Sequence, residues 1–180
     1  MTVSSMDVAN FYIDLFRQGE DPMNMTRLQR FVYFAQAESL ARLDSMLFDD
    51  DFEAWDHGPV IPGICTRFQN SKTIEPIRKP IGEYDVHVFT AEQLELLTDV
   101  AEFCGRYSTA ELTRHTNVPG GPWDSVHSCD GKPMKISKSS IKSFHKAQNP
   151  IPRYFRDAIG RLDTEGRIEN GRLILSEDWE

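Results

Sequence analysis

Five histidines (His57, His87, His115, His127, His145) and three cysteines (Cys65, Cys104, Cys129) are the residues of this chain that could hold a metal or act as nucleophiles. Their spacing serves neither purpose. A zinc site needs ligands at set intervals, such as His-Glu-x-x-His or paired Cys-x-x-Cys, and neither pattern is present. His127 and Cys129 are the closest pair, and two residues do not make a site. A nucleophilic cysteine needs a base and a positive neighbourhood. Cys104 falls on the apolar stripe of a helical pattern, Cys65 sits in a short apolar segment, and Cys129 lies in a polar loop. Asp49, Asp50, Asp51 and Glu53 could bind a cation or supply a general acid and base, but they lack the alternating ligands and central glycine of an EF-hand loop. No glycine-rich phosphate cradle precedes a helix. The expectation is therefore a protein without catalytic residues, metal or cofactor, not an enzyme.

What remains is chemistry of contact. The acidic run Asp49, Asp50, Asp51 suits a basic partner or a solvated edge. Lys132, Lys135, Lys138, Lys142 and Lys146 recur at steps of three or four, which would line one helical face. That face would contact nucleic acid or an acidic partner, or only keep the protein soluble. Only Phe144 is interleaved with it, so stacking on bases is not expected and nucleic acid is disfavoured. Trp55 and Trp123 both sit at Gly/Pro turns, where a rigid aromatic can anchor an interface or close a core. Gly58 and Pro59 stiffen the backbone beside Trp55 and His57. The candidate partner-binding residues are thus Asp49, Asp50, Asp51, Trp55, His57, Pro59, Trp123, Lys135, Lys138 and Lys142.

Helical and strand periodicities must position these groups. Residues 4–18 carry Val8, Phe11, Tyr12, Leu15 and Phe16 near the 3.6 period, ended by Gly19 and Pro22. Thr26 followed by Gln29 has the capping-box spacing and opens a helix apolar on several sides, which places it centrally. Phe52 to Trp55 reads as a strand that restarts at Val60, and Val60 to Phe68 as a short helix. Ile74 to Pro80, broken by prolines, reads as a loop. Glu83 to Phe89 alternates Tyr84, Val86 and Val88 with polar residues, so a strand pairing with Phe52–Trp55 is expected. Thr90 with Gln93, and Ser108 with Glu111, cap two further helices. The lysine run predicts another helix ended by Asn149-Pro150. Tyr154 to Leu162 reads as helical, and Asn170-Gly171 joins two short strands in a terminal hairpin.

The length of 180 residues favours one domain with a sizeable core. With 39% hydrophobic and 27% charged residues the composition is that of a soluble globular protein. No apolar run nears the length of a membrane span, MTVSSMDVAN carries no secretory pattern, and the unpaired cysteine spacing fits a reducing cytoplasm. Residues 1–60 hold 11 acids against the bases Arg17, Arg27, Arg30 and Arg42, whereas the remainder is nearly balanced at 17 against 16. That asymmetry argues against a phosphate-binding surface in the first third.

Two segments read together carry a resemblance: TRLQRFVYFAQAESLA, with Thr26, Leu28, Gln29, Tyr33, Phe34, Ala35 and Gln36, and LFDDDFEAWDHGPV, with Leu47, Phe48, Phe52, Glu53, Ala54, Trp55, Gly58, Pro59 and Val60, followed later by PWD near Trp123. The chain resembles the Panacea-domain antitoxins, SocA-like and phage-associated GepA-like, over roughly residues 5–147. It departs from their pattern at Arg30, where lysine is usual, at Phe31-Val32, where leucines are common, and at Arg42–Ser45, which replaces a glycine-containing turn. The resemblance implies a mainly α (α+β) fold: a compact helical domain with a small antiparallel sheet, spanning residues 1–149, plus a C-terminal helix-and-hairpin extension over 150–180 packed on it. It also implies an antitoxin of a type II toxin–antitoxin system of bacteria or phage defence. Such a protein neutralises a cognate toxin, encoded nearby, by direct binding. Small alarmone synthetase-like and other translation-inhibiting enzymes are among the toxins the family faces. Two alternatives stay open: an adaptor that delivers the toxin to a ClpXP-type protease, and a nucleic-acid-binding regulator using the 132–146 lysine face. A homo- or hetero-oligomer is compatible with each.

Overall fold

The computed structural model describes residues 3–19, 23–70, 76–127 and 132–158, and the backbone of two short strands at 166–169 and 172–175. Helix α1 (Ser5–Phe16) starts at a capping box, in which the Ser4 hydroxyl accepts from Asp7 N–H and the Asp7 carboxylate accepts from Ser4 N–H. Helix α2 (Met25–Glu38) is central, as its many-sided apolar pattern predicts. Every residue from Arg27 to Glu38 is buried, and α2 packs against α1, α4 (Ala91–Gly105), α5 (Thr109–Thr116) and α6 (Lys138–Lys146). Edge-to-face ring pairs thread this core: Tyr12 and Phe16 each meet Phe31, and Tyr33 meets Phe52. The start of α2 corrects the capping expectation. Asn24, not Thr26, is the N-cap, accepting from Arg27 N–H, and Gln29 is free for another task. Beyond Glu38 the helix widens into a π-helical turn (Ser39–Leu43), which ends at Asp44 in the left-handed region (φ 59°).

Strands β1 (Phe52–Trp55) and β2 (Gly58–Val60) form a hairpin across Asp56–His57, and β3 (Met134–Ile136) lies on the other edge of β1, giving an antiparallel sheet ordered β2-β1-β3. This replaces the expected partner. Glu83–Phe89 is not a strand: Val86–Val88 forms a 3₁₀ turn capped by Asp85, whose side chain accepts from His87 N–H. An aspartate that satisfies the backbone locally removes the incentive to pair in a sheet. The lysine run is also not one helix. Met134–Ile136 is extended, with Lys135 opposite Glu53 on β1, and α6 begins only after its N-cap Ser137. Lys138, Lys142 and Lys146 keep the common face.

Helix α3 (Pro62–Asn70) follows the hairpin, and the capping boxes at Thr90 and Ser108 are formed as expected. After α6 the chain returns to the core. Ile151 is buried and its carbonyl accepts from Arg42, while Phe155 N–H donates to Asp99. Strands β4 (Gly166–Glu169) and β5 (Arg172–Leu175) pair antiparallel as the terminal hairpin; their Asn170-Gly171 connection, and residues 159–162 of the expected helix, lie outside the described residues. Among the described residues no helix is long and apolar enough to cross a membrane.

Candidate functional site

Besides Arg27 and Glu38, three polar side chains on α2 are buried: Gln29 (1% exposed), Arg30 (0%) and Gln36 (0%). A buried amide is costly unless its hydrogen bonds are made. Here all three reach the main chain of residues 47–61. Gln36 accepts from Leu47 and Phe48 N–H (2.9 and 3.3 Å) and donates to Phe48 C=O (2.8 Å), fixing the approach to β1. Gln29 accepts from Ile61 N–H (2.9 Å) and donates to Ile61 C=O (3.2 Å), fixing the exit from β2. Arg30 donates to the carbonyls of Pro59 (2.6 Å) and His57, at the turn itself. The seven-residue step from Gln29 to Gln36 is two helical turns, so one face of α2 holds both ends of the hairpin.

Gly58 completes this clamp. Its φ is +115°, closed to other residues, and a Cβ there would sit 2.6 Å from the Arg30 guanidinium and 2.7 Å from Asn117 Oδ1. Burial lowers the Arg30 pKa from 12.5 to about 10, which leaves it a cation at neutral pH. The two tryptophans of the sequence reading meet here and take opposite roles. Trp123 is buried, donates through Nε1 to the Trp55 carbonyl (2.9 Å) and stacks on His127 at 4.1 Å. His127 lies 3.4 Å from Asp56, at the hairpin tip. Trp55 is 37% exposed and its indole N–H donates to Glu53 (2.9 Å). His57 is exposed and Pro59 buried. Trp55 and His57 overhang a groove of about 340 Å³ between the hairpin and the first turn of α2.

The acidic run and the lysine face, read as two separate surfaces, are partners of each other. Lys135 and Lys138 both bind Asp51 (2.9 Å each), Lys138 also reaches Asp49 (3.4 Å), and Lys142 (3.0 Å) and Lys146 converge on Asp44. Hydrogen bonds from Lys146 and Lys142 lower the Asp44 carboxyl to about 2, and those from Lys138 and Lys135 lower Asp51. Asp50 stands apart, its carboxylate 3.4 Å from Ser5 N–H. A third ionic group is buried: Arg42 bridges Glu38 (2.9 Å) and Asp99 (2.6 Å) beneath the returning C-terminal segment. Neither cysteine within the described residues carries a nucleophile's signature. Burial raises the Cys104 thiol far above its ordinary range, and raises Cys65 as well. Cys129 lies outside the described residues.

Residues 28–124 match the family model described as "Antitoxin SocA-like, Panacea domain". The chain belongs to this family. The match begins on α2 and ends just after Trp123, so it encloses the clamp, the hairpin and its tryptophan support. A curated relative, the antitoxin SocA of Caulobacter vibrioides (strain NA1000 / CB15N), is 28% identical in an alignment covering 88% of this chain and 92% of that protein. No solved structure matches the chain. The antitoxin role implies a toxin partner in general.

Of the sequence-derived candidates, Trp55, His57 and Pro59 come together at the hairpin with Trp123 behind them, while Asp49, Asp51, Lys135, Lys138 and Lys142 form a separate ionic seam between the segment before β1, β3 and α6. The sequence reading missed the clamp residues Gln29, Arg30 and Gln36. Their signal in the sequence was partial: Gln36 stands between Ala35 and Ala37, whereas Gln29 and Arg30 adjoin each other and lie one turn from Thr26 and Arg27.

Proposed function

We propose that this chain is the antitoxin of a type II toxin–antitoxin pair, a non-enzymatic module that neutralises its toxin by direct protein–protein binding through the hairpin face bearing Trp55 and His57. Family membership carries this reading, supported by a similar antitoxin matched over most of both chains. The geometry supports the choice of face. A large aromatic held on a backbone pinned by Gln29, Arg30 and Gln36 loses little entropy on binding, which is how a few aromatic anchors dominate interfaces. The lysine face supports the regulator reading less well, because Lys135, Lys138, Lys142 and Lys146 are engaged by carboxylates of the same molecule. Phosphate contact would have to displace those pairs. For the same reason the acidic first third presents a weaker field to a basic toxin than its charge count implies. A toxin that inhibits translation, such as a small alarmone synthetase-like enzyme, is the class this reading favours.

The test is rescue. The toxin encoded beside this chain is induced with and without it. Restored growth together with a co-purifying complex is the expected result. No rescue would overturn the reading, and rescue without a complex would replace neutralisation by binding with delivery to a protease.

A further inference from the structure

The groove under Trp55 is largely apolar in its walls, and the fully buried Arg30 lies behind them. Met25, Ala54, Trp55 and Val60 line its sides, and Thr26 and Arg30 of α2 close it. Two observations point to the same kind of ligand. First, Arg30 is fully buried, and its two carbonyl partners are neutral. Its Nε–H has no hydrogen-bond partner among the described residues, and no carboxylate there offsets its charge. A buried guanidinium that is only partly satisfied favours an anion close by. Second, the groove opens on the first turn of α2, a helix of 14 residues, where backbone N–H groups and the helix dipole favour negative charge. The Asn24 side chain satisfies Arg27 N–H. At the rim, Lys132 adds a second cation, and Asp56, the one acid among the described lining residues, turns its carboxylate towards His127.

We propose that this groove is a carboxylate-binding pocket of the toxin-docking face: it receives an acidic side chain of the partner, flanked by apolar residues, with the carboxylate directed at Arg30 and the flanking residues on Trp55 and Val60. This rests on the reading of the chain as a toxin-binding module and adds what the toxin must present. The overall negative charge of the chain would select against acidic partners in general. The pocket gives the opposite local preference, so recognition depends on one placed carboxylate and not on the field of the whole molecule.

The test uses the isolated full chain, so its outcome is separable from that of the rescue experiment. The peptide Ac-Leu-Glu-Leu-NH₂ is titrated while the Arg30 Nε–H and Trp55 indole N–H signals are followed by ¹⁵N NMR. Both signals should move saturably, with a dissociation constant in the millimolar range expected of so small a ligand. The neutral Ac-Leu-Gln-Leu-NH₂ should bind at least about 10-fold more weakly, because it lacks the carboxylate that the Arg30 and Lys132 charges attract. A Thr26→Phe variant, which fills the groove and leaves Arg30 in place, should abolish the shifts while the free Arg30 signal stays where it was. Absence of any shift, or equal shifts from the glutamine peptide, would overturn the proposal. Inorganic phosphate binding as tightly as the glutamate peptide would overturn it too, reducing the groove to a general anion site.

Discussion

Gly58 is the residue on which the hairpin turns, and two independent constraints meet there. Its positive φ excludes side chains, and the space a Cβ would need is filled by Arg30 and Asn117. Gly58→Ala is therefore expected to cost at least about 2 kcal/mol in chemical denaturation, above the ordinary effect of a surface change. A loss under about 0.5 kcal/mol would show that the turn relaxes freely. Gln36→Leu keeps the volume and strips the hydrogen bonds from Leu47 N–H, Phe48 N–H and Phe48 C=O. Leaving those buried groups unpaired should cost about 1–3 kcal/mol, read by the same method. Gly58 was legible in the sequence, because Gly-Pro after a strand pattern has one physical meaning. Gln29 was legible only in part. Its position three residues after Thr26 matches a capping box, and only the burial of α2 shows that the amide is spent on Ile61 instead. A local spacing rule and a tertiary clamp produce the same letters.

At the scale of elements, the helices were readable and the sheet was half readable. Capping boxes at Ser4, Thr90 and Ser108 are local chemistry, settled within four residues. Strand β3 owes its existence to β1, about 80 residues earlier in the chain, and the steady lysine spacing that runs through it hides the change from strand to helix. The alternation at Glu83–Phe89 failed for the converse reason: among the described residues no strand pairs with it, and the Asp85 cap wins. Helix α6 also carries a pH dependence. His145 lies against Tyr33, Phe34 and Phe144, its Nε2 3.4 Å from the Tyr33 hydroxyl, and shares a cavity wall with Glu38. Burial lowers its pKa from 6.5 to about 4. The unfolded chain thus takes up this proton first, and folding stability should fall as pH drops from about 6.5 towards about 4. His145→Phe should flatten the stability profile in that window; an unchanged slope would remove the assignment. Asp44 acts in a lower window. Its folded pKa of about 2, set by Lys146 and Lys142, gives stability that is complete above about 4 and is lost as pH falls towards 2. Asp44→Asn should remove that step and leave the His145 window untouched.

For the whole molecule, the ionic groups are internal fasteners. The Asp44–Lys142–Lys146 and Asp51–Lys135–Lys138 groups tie α6 and β3 to the segment between α2 and β1, and the buried Arg42–Glu38–Asp99 group ties residues 151–155 to α2 and α4. Breaking one member of a buried group costs more than its net contribution, since the others are left uncompensated. Composition counts charges and says nothing of whom they face, so the sequence offered two partner surfaces where the fold has one seam. With that seam closed, the hairpin face remains open to a partner, with Trp55 exposed and its backbone clamped from below. Its role in docking is best measured by calorimetry of the purified toxin with this chain and with Trp55→Ala. The account predicts a stable complex that Trp55→Ala weakens at least about 10-fold, with Tm unchanged. An affinity unaffected by the substitution would contradict the assignment of this face.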